Sequence, residues 1–179
     1  MLGIVFVPGI MGSRLALNGN EIWPPTIREA LLGYRRIDAL ADPDAAPSGV
    51  IERVSCKPVN ERILGDLSFI ASGRAGVARG LFAPFHYDWR KDLREAAAAL
   101  ADHLDDLLGN GASEVRIVAH SMGGLVTRCY LECGDYDDRP GWTAVKGLLT
   151  AATPHRGAPV ALGRALGLEA TVGFSGTDT

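Results

Sequence analysis

Short apolar runs alternate with segments of helical periodicity along this chain. The apolar runs lie at residues 3–7, 80–89, 114–120 and 144–154, and the second and fourth each continue into a loop. Continuous apolar runs bounded by glycine and proline are typical of strands buried on both faces of a sheet. The pattern therefore predicts four core strands.

Helical patterns separate these runs. In the clearest, Leu93, Ala97, Leu100 and Leu104 recur at helical spacing, and the glycines that follow at 109–111 end the pattern. A second helical segment, "MGGLVTRCYLEC", follows the third run directly. Because strands that alternate with helices form parallel sheets, we predict an α/β fold with a mostly parallel sheet and helices on both faces.

Residues 20–58 lack a regular pattern. They contain a short helical stretch at 24–32, the turn-rich "ADPDAAPSG" and the strand-like "GVIERVSC". A chain of 179 residues with 47% hydrophobic content is long enough for one buried core. We expect a single domain over 1–179, with an irregular or lid-like excursion at about 20–58.

Composition and charge exclude several function classes. The net charge is −3 and the basic residues are scattered, so we expect no nucleic-acid partner. Neither a signal peptide nor a membrane-spanning run is visible, which predicts a cytoplasmic location. Cys56, Cys129 and Cys133 lack the spacing of a disulfide framework or a zinc site, so we predict reduced thiols, with no metal and no cofactor.

The stretch "VRIVAHSMGGLVTR" places Ser121 between a strand pattern and a helix pattern. A nucleophilic serine at such a turn needs small residues two positions before and after it, here Ala119 and Gly123. The N–H of Met122, at the start of the helix, would be one donor to an oxyanion. The alternative is a serine that only caps the helix.

A second oxyanion donor is expected after an earlier strand. The loop "VPGIMGS" follows the first apolar run, and its glycines allow backbone amides to approach a ligand. Ile10 is the candidate donor, and its neighbours Gly9 and Met11 are candidate substrate contacts. Taken alone, the loop is equally well explained as a glycine-rich turn.

Several separated segments resemble the lecithin:cholesterol acyltransferase family of α/β-hydrolases. They are, in family order, "IVFVPGIMGSRL", "EIWP", "APFHYDWRKDL", "VAHSMGGLVTR" and "LLTAATPHRGAP". The resemblance implies that Ser121 is the nucleophile and that Met122 and Ile10 supply the oxyanion amides. It also implies a lid or lipid-contacting excursion that contains Trp23. Two departures are Ala119, where many members have glycine, and the lack of a cysteine near Trp23 to pair with Cys56.

No histidine follows His155, although α/β-hydrolases carry the triad acid and histidine after the serine. His103 is predicted on a solvated helix face, and His120 is predicted to point away from the serine as a packing residue. His86 is interpreted as a partly buried, hydrogen-bonded side chain. His155 ends the fourth strand, so it is a candidate substrate contact but not the assigned base.

Asp88 and Arg90 are explained at least as well by an internal salt bridge as by catalysis, and the acids at 135–138 by a solvated turn. The triad acid and histidine are therefore predicted to be absent, as if the chain were the N-terminal half of a longer enzyme. One helix and a polar tail are predicted after residue 154, and the C-terminal strands of the sheet are missing. The uncovered apolar edge would then accept a complementary C-terminal segment.

Two classes of function follow. The first is an O-acyltransferase, lipase or esterase that acts on lipid esters through an acyl-enzyme, with transient contact to a membrane surface. The second is a catalytically inert α/β-hydrolase-like fragment or a lipid- or protein-binding module. A weaker third hypothesis makes His86 or His155 a makeshift base that gives slow esterase activity.

Overall fold

The computed structural model describes residues 1–159, 161 and 163, so the predicted tail lies outside the described residues. The strands are β1 (Leu2–Val7), β2 (Ser13–Leu17), β3 (Asn20–Trp23), β4 (Ala46–Val50), β5 (Arg53–Val54), β6 (Lys57–Pro58), β7 (Leu81–Pro84), β8 (Glu114–His120) and β9 (Val145–Ala151). The helices are α1 (Ile27–Leu32), α2 (Ile37–Ala41), α3 (Glu61–Ala71), α4 (Leu93–Gly109), α5 (Met122–Glu132) and α6 (Pro140–Ala144).

The main sheet has the order β7-β1-β8-β9, and all its neighbouring strands are parallel. Its four strands are those predicted from the apolar runs. The carboxyl ends of β1 and β8 lie side by side, since Val7 pairs with Ala119. The loops that follow these two strands therefore meet at one edge of the sheet, where ligands of α/β proteins usually bind.

Alternate residues of β1 face opposite layers of helices. Ile4 and Phe6 pack against Leu64 and Leu67 of α3, whereas Val5 belongs to the larger core that includes α4 and α5. The predicted arrangement of helices on both faces of a mostly parallel sheet is confirmed. Helix α3 has no counterpart in the sequence-based prediction.

Helix α4 buries the predicted face. Ala97, Leu100 and Leu104 are fully buried. Asp92 caps the N-terminus, where its carboxylate accepts a hydrogen bond from the N–H of Arg94 at 2.8 Å. The helix ends before Gly111, whose φ of 101° suits a residue without a Cβ.

The excursion is more regular than its sequence pattern indicates. Strands β3, β2 and β4 form an antiparallel sheet in that order, and β5 pairs with β6 in a small hairpin. Asn18 and Gly19, both with positive φ, make the tight turn between β2 and β3. The short helix expected at 24–32 is present as α1, and Thr26 and Glu29 form a capping box at its start.

Strand β9 is an edge of the main sheet within the described part of the chain. None of its residues is fully buried, and the Leu149 side chain is 58% exposed. This exposure agrees with the expected apolar edge. Among the described residues, no helix has the length and apolar character needed to cross a bilayer.

Candidate active site

Ser121 occupies the sharp turn between β8 and α5. Its φ of 51° and ψ of −123° are rare for a residue with a side chain, and such strain is concentrated at functional sites. Hydrogen bonds hold the turn on both sides, because Ser121 N donates to Ala151 O at 2.8 Å and Gly124 N donates to Ser121 O at 3.0 Å. The Ser121 side chain makes no cap hydrogen bond, so the structure does not favour the helix-capping alternative.

The small residues around the turn are sterically required. A Cβ on Gly123 would collide with the carbonyl oxygens of Val7 and Pro8 and would lie 2.9 Å from the carbonyl carbon of Val7. A Cβ on Gly9 would lie 2.9 Å from the Cβ of Ser121. Ala119 is fully buried within β8, where its single methyl group is accommodated. The loop after β1 therefore packs directly on the serine.

We refer to residues 8–13 as the oxyanion loop. Gly12 N donates to Gly9 O at 3.0 Å and Met11 has a φ of 60°, which describes a tight turn with a left-handed third residue. The Ile10 N–H has no hydrogen-bond acceptor within the described chain, and the same holds for the Met122 N–H at the start of α5. Both predicted donors are thus available to a ligand.

A cleft of about 480 Å³ lies beside this loop. Gly9, Met11 and Trp23, three of the four predicted substrate contacts, line one part of it, and the β5–β6 hairpin contributes Val54 and Lys57. The lining is mostly apolar. A cleft of this size and character is suited to an acyl chain or a similar hydrophobic group.

Trp23 is held rigidly in the cleft wall. Its indole Nε1 donates to Met11 O at 3.0 Å, and its ring meets those of Trp89 and Tyr34 edge-on at centroid distances of 5.3 and 6.0 Å. Only 5% of Trp23 is exposed. The tryptophan therefore shapes the wall rather than projecting into solvent.

The histidines are distributed differently from some predictions. His103 is not on a solvated face, because its Nε2 lies 3.2 Å from Ala83 O and its ring packs on Phe85, and this burial lowers its pKa. His86 is exposed, and His120 is exposed and lines the cleft instead of packing in the core. None of the histidines forms a hydrogen bond with Ser121 within the described residues.

His155 lies four residues after the end of β9. Its Nδ1 is 3.2 Å from Arg128 Nη1 and its Nε2 is 3.4 Å from Thr150 Oγ1. It is exposed and is not among the residues that line the cleft. The geometry links this side chain to α5 rather than to the cleft wall.

Asp88 and Arg90 form the predicted salt bridge. Arg90 donates to both carboxylate oxygens at 2.6 and 2.8 Å. Burial acts to raise the pKa of Asp88, but the hydrogen bonds from Arg90 and its positive charge keep that pKa below its usual value. Arg90 also donates to the backbone carbonyls of Leu40, Asp42 and Ala45 in the excursion. The pair therefore joins the loop after β7 to the excursion.

Two further side chains, Tyr87 and Trp89, anchor the loop after β7 and were not identified from the sequence. The Tyr87 hydroxyl donates to Pro8 O at 3.0 Å, and the indole Nε1 of Trp89 donates to Ser13 O at 3.1 Å. Both side chains are buried. The segment "YDWR" was available as a signal, since polar groups on buried aromatic rings normally find partners.

Cys56, Cys129 and Cys133 are not among the residues that line the cleft. All three thiols are free, and burial raises the pKa of Cys129. Within the described residues, no group of three or more histidine, cysteine or acidic side chains is arranged to bind a metal ion.

Comparison with known proteins identifies the family. A sequence profile of the family described as lecithin:cholesterol acyltransferase matches residues 73–167, which is more than half of the chain and includes the strand, the turn and the helix around Ser121. The chain belongs to the lecithin:cholesterol acyltransferase family.

A curated relative extends the similarity but not the functional assignment. The uncharacterized protein YJR098C of Saccharomyces cerevisiae is 27% identical over 143 residues, which covers 72% of this chain and 20% of that protein. The chain thus spans about a fifth of the length of this relative.

Proposed function

We propose that this member of the lecithin:cholesterol acyltransferase family contributes the nucleophile and the oxyanion site for acyl transfer from a lipid ester. The observation that carries the proposal is the strained Ser121 backbone at a strand-to-helix turn, directly against the oxyanion loop. This is the arrangement that a nucleophilic serine requires in an α/β-hydrolase.

In the proposed reaction, Ser121 Oγ forms a bond to the ester carbonyl carbon, and its proton passes to a base. The amides of Met122 and Ile10 stabilise the carbonyl oxygen as it becomes negative. Collapse of the tetrahedral intermediate breaks the bond to the alcohol, which leaves with a proton, and the acyl group remains on Ser121. Water or another alcohol then accepts it. Loss of one oxyanion donor typically costs about a hundred- to a thousand-fold in rate.

The cleft supports a lipid substrate. We propose that the acyl chain lies along Gly9, Met11 and Trp23, where contact with the apolar lining removes it from water. His155 is kept as a candidate contact for a part of the substrate that extends beyond the cleft.

Contact with a lipid surface is supported by helix α1. Pro25, at the cleft wall, precedes this helix by two residues, and Ile27 and Leu31 on its surface are 60% and 79% exposed. Arg28 and Arg35 nearby form no ion pair with another described residue. Exposed apolar side chains flanked by free cations suit an anionic membrane surface.

The proposed reaction needs a base and an acid in addition to Ser121. Because no described histidine is hydrogen-bonded to Ser121, we propose that the triad acid and histidine come from polypeptide outside the described residues, and that 1–179 forms part of a single α/β-hydrolase domain. The alternative is slow catalysis with His86 or His155 as a makeshift base.

An alkyl fluorophosphonate tests the nucleophile directly. In this reaction a bond forms between Ser121 Oγ and phosphorus, the phosphorus–fluorine bond breaks, and fluoride and a proton are released. At alkaline pH, solvent hydroxide can take the serine proton in place of the triad histidine. Intact mass and peptide mapping should then show one slowly formed adduct on Ser121 in the wild type and in Ser68→Ala, an exposed serine of α3. Ser121→Ala should remain unlabelled.

Parallel assays with a short p-nitrophenyl ester separate the remaining alternatives. Hydrolysis that is lost in Ser121→Ala and also in His155→Ala or His86→Ala would place a base within this chain. A folded wild-type protein that is labelled at Ser121 but does not hydrolyse the ester would support a base outside the described residues. A folded wild-type protein that is not labelled would contradict the proposal and favour the inert lipid- or protein-binding module.

A further inference from the structure

We infer that Tyr87, Trp89 and Trp23 are positioning residues that fix the oxyanion loop. This inference rests on the proposed function and assigns a task to side chains that need not touch the reacting atoms. Each ring is buried, and each donates one hydrogen bond to a different carbonyl of residues 8–13.

The carbonyl groups of the loop are almost all engaged. The acceptors are Pro8 O with the Tyr87 hydroxyl, Gly9 O with Gly12 N, Met11 O with Trp23 Nε1, Gly12 O with Ile51 N and Ser13 O with Trp89 Nε1. Three of these five donors are aromatic side chains from outside the loop. They fix the peptide planes on either side of the turn.

Peptide planarity converts fixed carbonyls into fixed amides. In a trans peptide the C=O and N–H bonds point in opposite directions, so the Gly9 carbonyl that faces Gly12 directs the Ile10 N–H away from the inside of the turn. The turn also holds Met11 at a φ of 60°, a strained conformation for a residue with a side chain. The bond from Trp23 to Met11 O helps to maintain this conformation.

Two of the three rings act without lining the cleft. Tyr87 and Trp89 are absent from the cleft lining, whereas Trp23 forms part of it. The backbone N–H of Tyr87 also donates to the buried Ser13 hydroxyl at 3.1 Å. Asp88 and Arg90 flank Trp89 in sequence, so this segment is anchored on the excursion as well as on the oxyanion loop.

The inference is tested with variants that remove one hydrogen-bond donor and keep an aromatic ring. Tyr87→Phe and Trp89→Phe are compared with Trp142→Phe, which matches the loss of ring size in Trp89→Phe. Trp142 donates an equivalent bond to a carbonyl outside the loop, Leu131 O, at 3.1 Å. Three quantities are measured for each variant: the maximal rate of fluorophosphonate labelling, the fluorophosphonate concentration that gives half this rate, and the melting temperature of the unlabelled protein.

We expect Tyr87→Phe and Trp89→Phe to lower the maximal labelling rate by about tenfold, less than the complete loss of a donor would. The half-saturating concentration should not change, because neither ring lines the cleft. The control Trp142→Phe should lose comparable thermal stability and keep the wild-type labelling rate. A purely structural role would instead make all three variants behave alike, which would overturn the inference.

A backbone NMR measurement on the wild-type protein does not depend on the folding of any variant. When the phosphoryl oxygen of the adduct occupies the oxyanion position, the amide proton of Ile10 should move downfield together with that of Met122. A shift at Met122 without one at Ile10 would overturn the inference while leaving the nucleophile assigned. Failure of the wild type to be labelled at Ser121 would instead reject the proposed function.

Discussion

Replacing Gly123 with alanine tests whether the turn at Ser121 depends on contact with the backbone of β1. The added Cβ would lie 2.9 Å from the carbonyl carbon of Val7 and would collide with the carbonyl oxygens of Val7 and Pro8. These carbonyls cannot move freely, because Val7 is paired with β8 and Pro8 O accepts the Tyr87 hydroxyl. Helix α5 must therefore move away from β1.

The size of the effect follows from opposing contributions. Ordinary carbon–carbon contacts are about 3.5–4.0 Å, so the methyl group must withdraw by more than about 0.5 Å. Overpacking of this kind costs roughly 1–3 kcal/mol, and the severity of the clash favours the upper end. Alanine gains about 1 kcal/mol over glycine in a helix. The net loss is about 2 kcal/mol, which corresponds to a fall in melting temperature of about 4–8 °C.

The assay is thermal unfolding followed by circular dichroism, with urea denaturation as an independent measure. Gly65→Ala is the matched control, since Gly65 lies on α3 and its added Cβ would meet no atom within 4 Å. That variant should be more stable than the wild type by up to about 1 kcal/mol.

Equal stability of Gly123→Ala and the wild type would refute the steric reasoning. Such a result would mean that the turn can adjust without cost and that the approach of β1 does not determine the position of Ser121. A loss of stability accompanied by normal fluorophosphonate labelling would preserve the packing argument but separate it from the reactivity of the serine.

Two further predictions concern the excursion. Arg90→Lys should lower the free energy of unfolding by on the order of 3 kcal/mol in urea denaturation, because one ammonium cannot replace the guanidinium bonds to Asp88 and the excursion carbonyls. The control Arg94→Lys, at an exposed arginine, should have no measurable effect on the free energy of unfolding. Similar losses in the two variants would contradict this reasoning. Hydrogen bonds from Arg36 are the main cause that lowers the pKa of Glu29 from 4.5 to about 2, so the stability they supply is present above pH 4.5 and is lost as the pH falls towards 2. Because Arg36 is partly exposed, we expect the free energy of unfolding, measured by urea titration at each pH, to fall by on the order of 1 kcal/mol over this range. Glu29→Gln should not show this fall. Identical pH profiles for the wild type and Glu29→Gln would show that the pair contributes nothing to stability.

Much of the main sheet could be predicted from local sequence. Continuous apolar runs indicated all four parallel strands, because a strand buried on both faces carries apolar residues at successive positions. Helical periodicity indicated α4 and α5, because a helix buried on one face carries apolar residues every three to four positions. The turn around Ser121 was visible for the same reason, since its steric demands act on residues adjacent in sequence.

The excursion was harder to predict. Asn18-Gly19 is a strong turn signal, but the β2–β3 hairpin does not stand out by its apolar pattern, because its two strands are short and only partly buried. Helix α3 was missed as well, and only Leu64, Leu67 and Ala71 of that helix are buried, which leaves a weak periodic signal. His103 was assigned to solvent because the charged neighbours on α4 do not reveal that its ring meets Phe85.

The sequence by itself determined the strand and helix pattern, the family resemblance and the position of Ser121 between a strand and a helix. Only the tertiary structure decided which buried donors hold the oxyanion loop, because Tyr87 and Trp89 are separated from their acceptors Pro8 and Ser13 by 79 and 76 residues. Periodicity records which face of an element is buried, whereas a hydrogen bond between distant segments exists only once the sheet has brought their loops together.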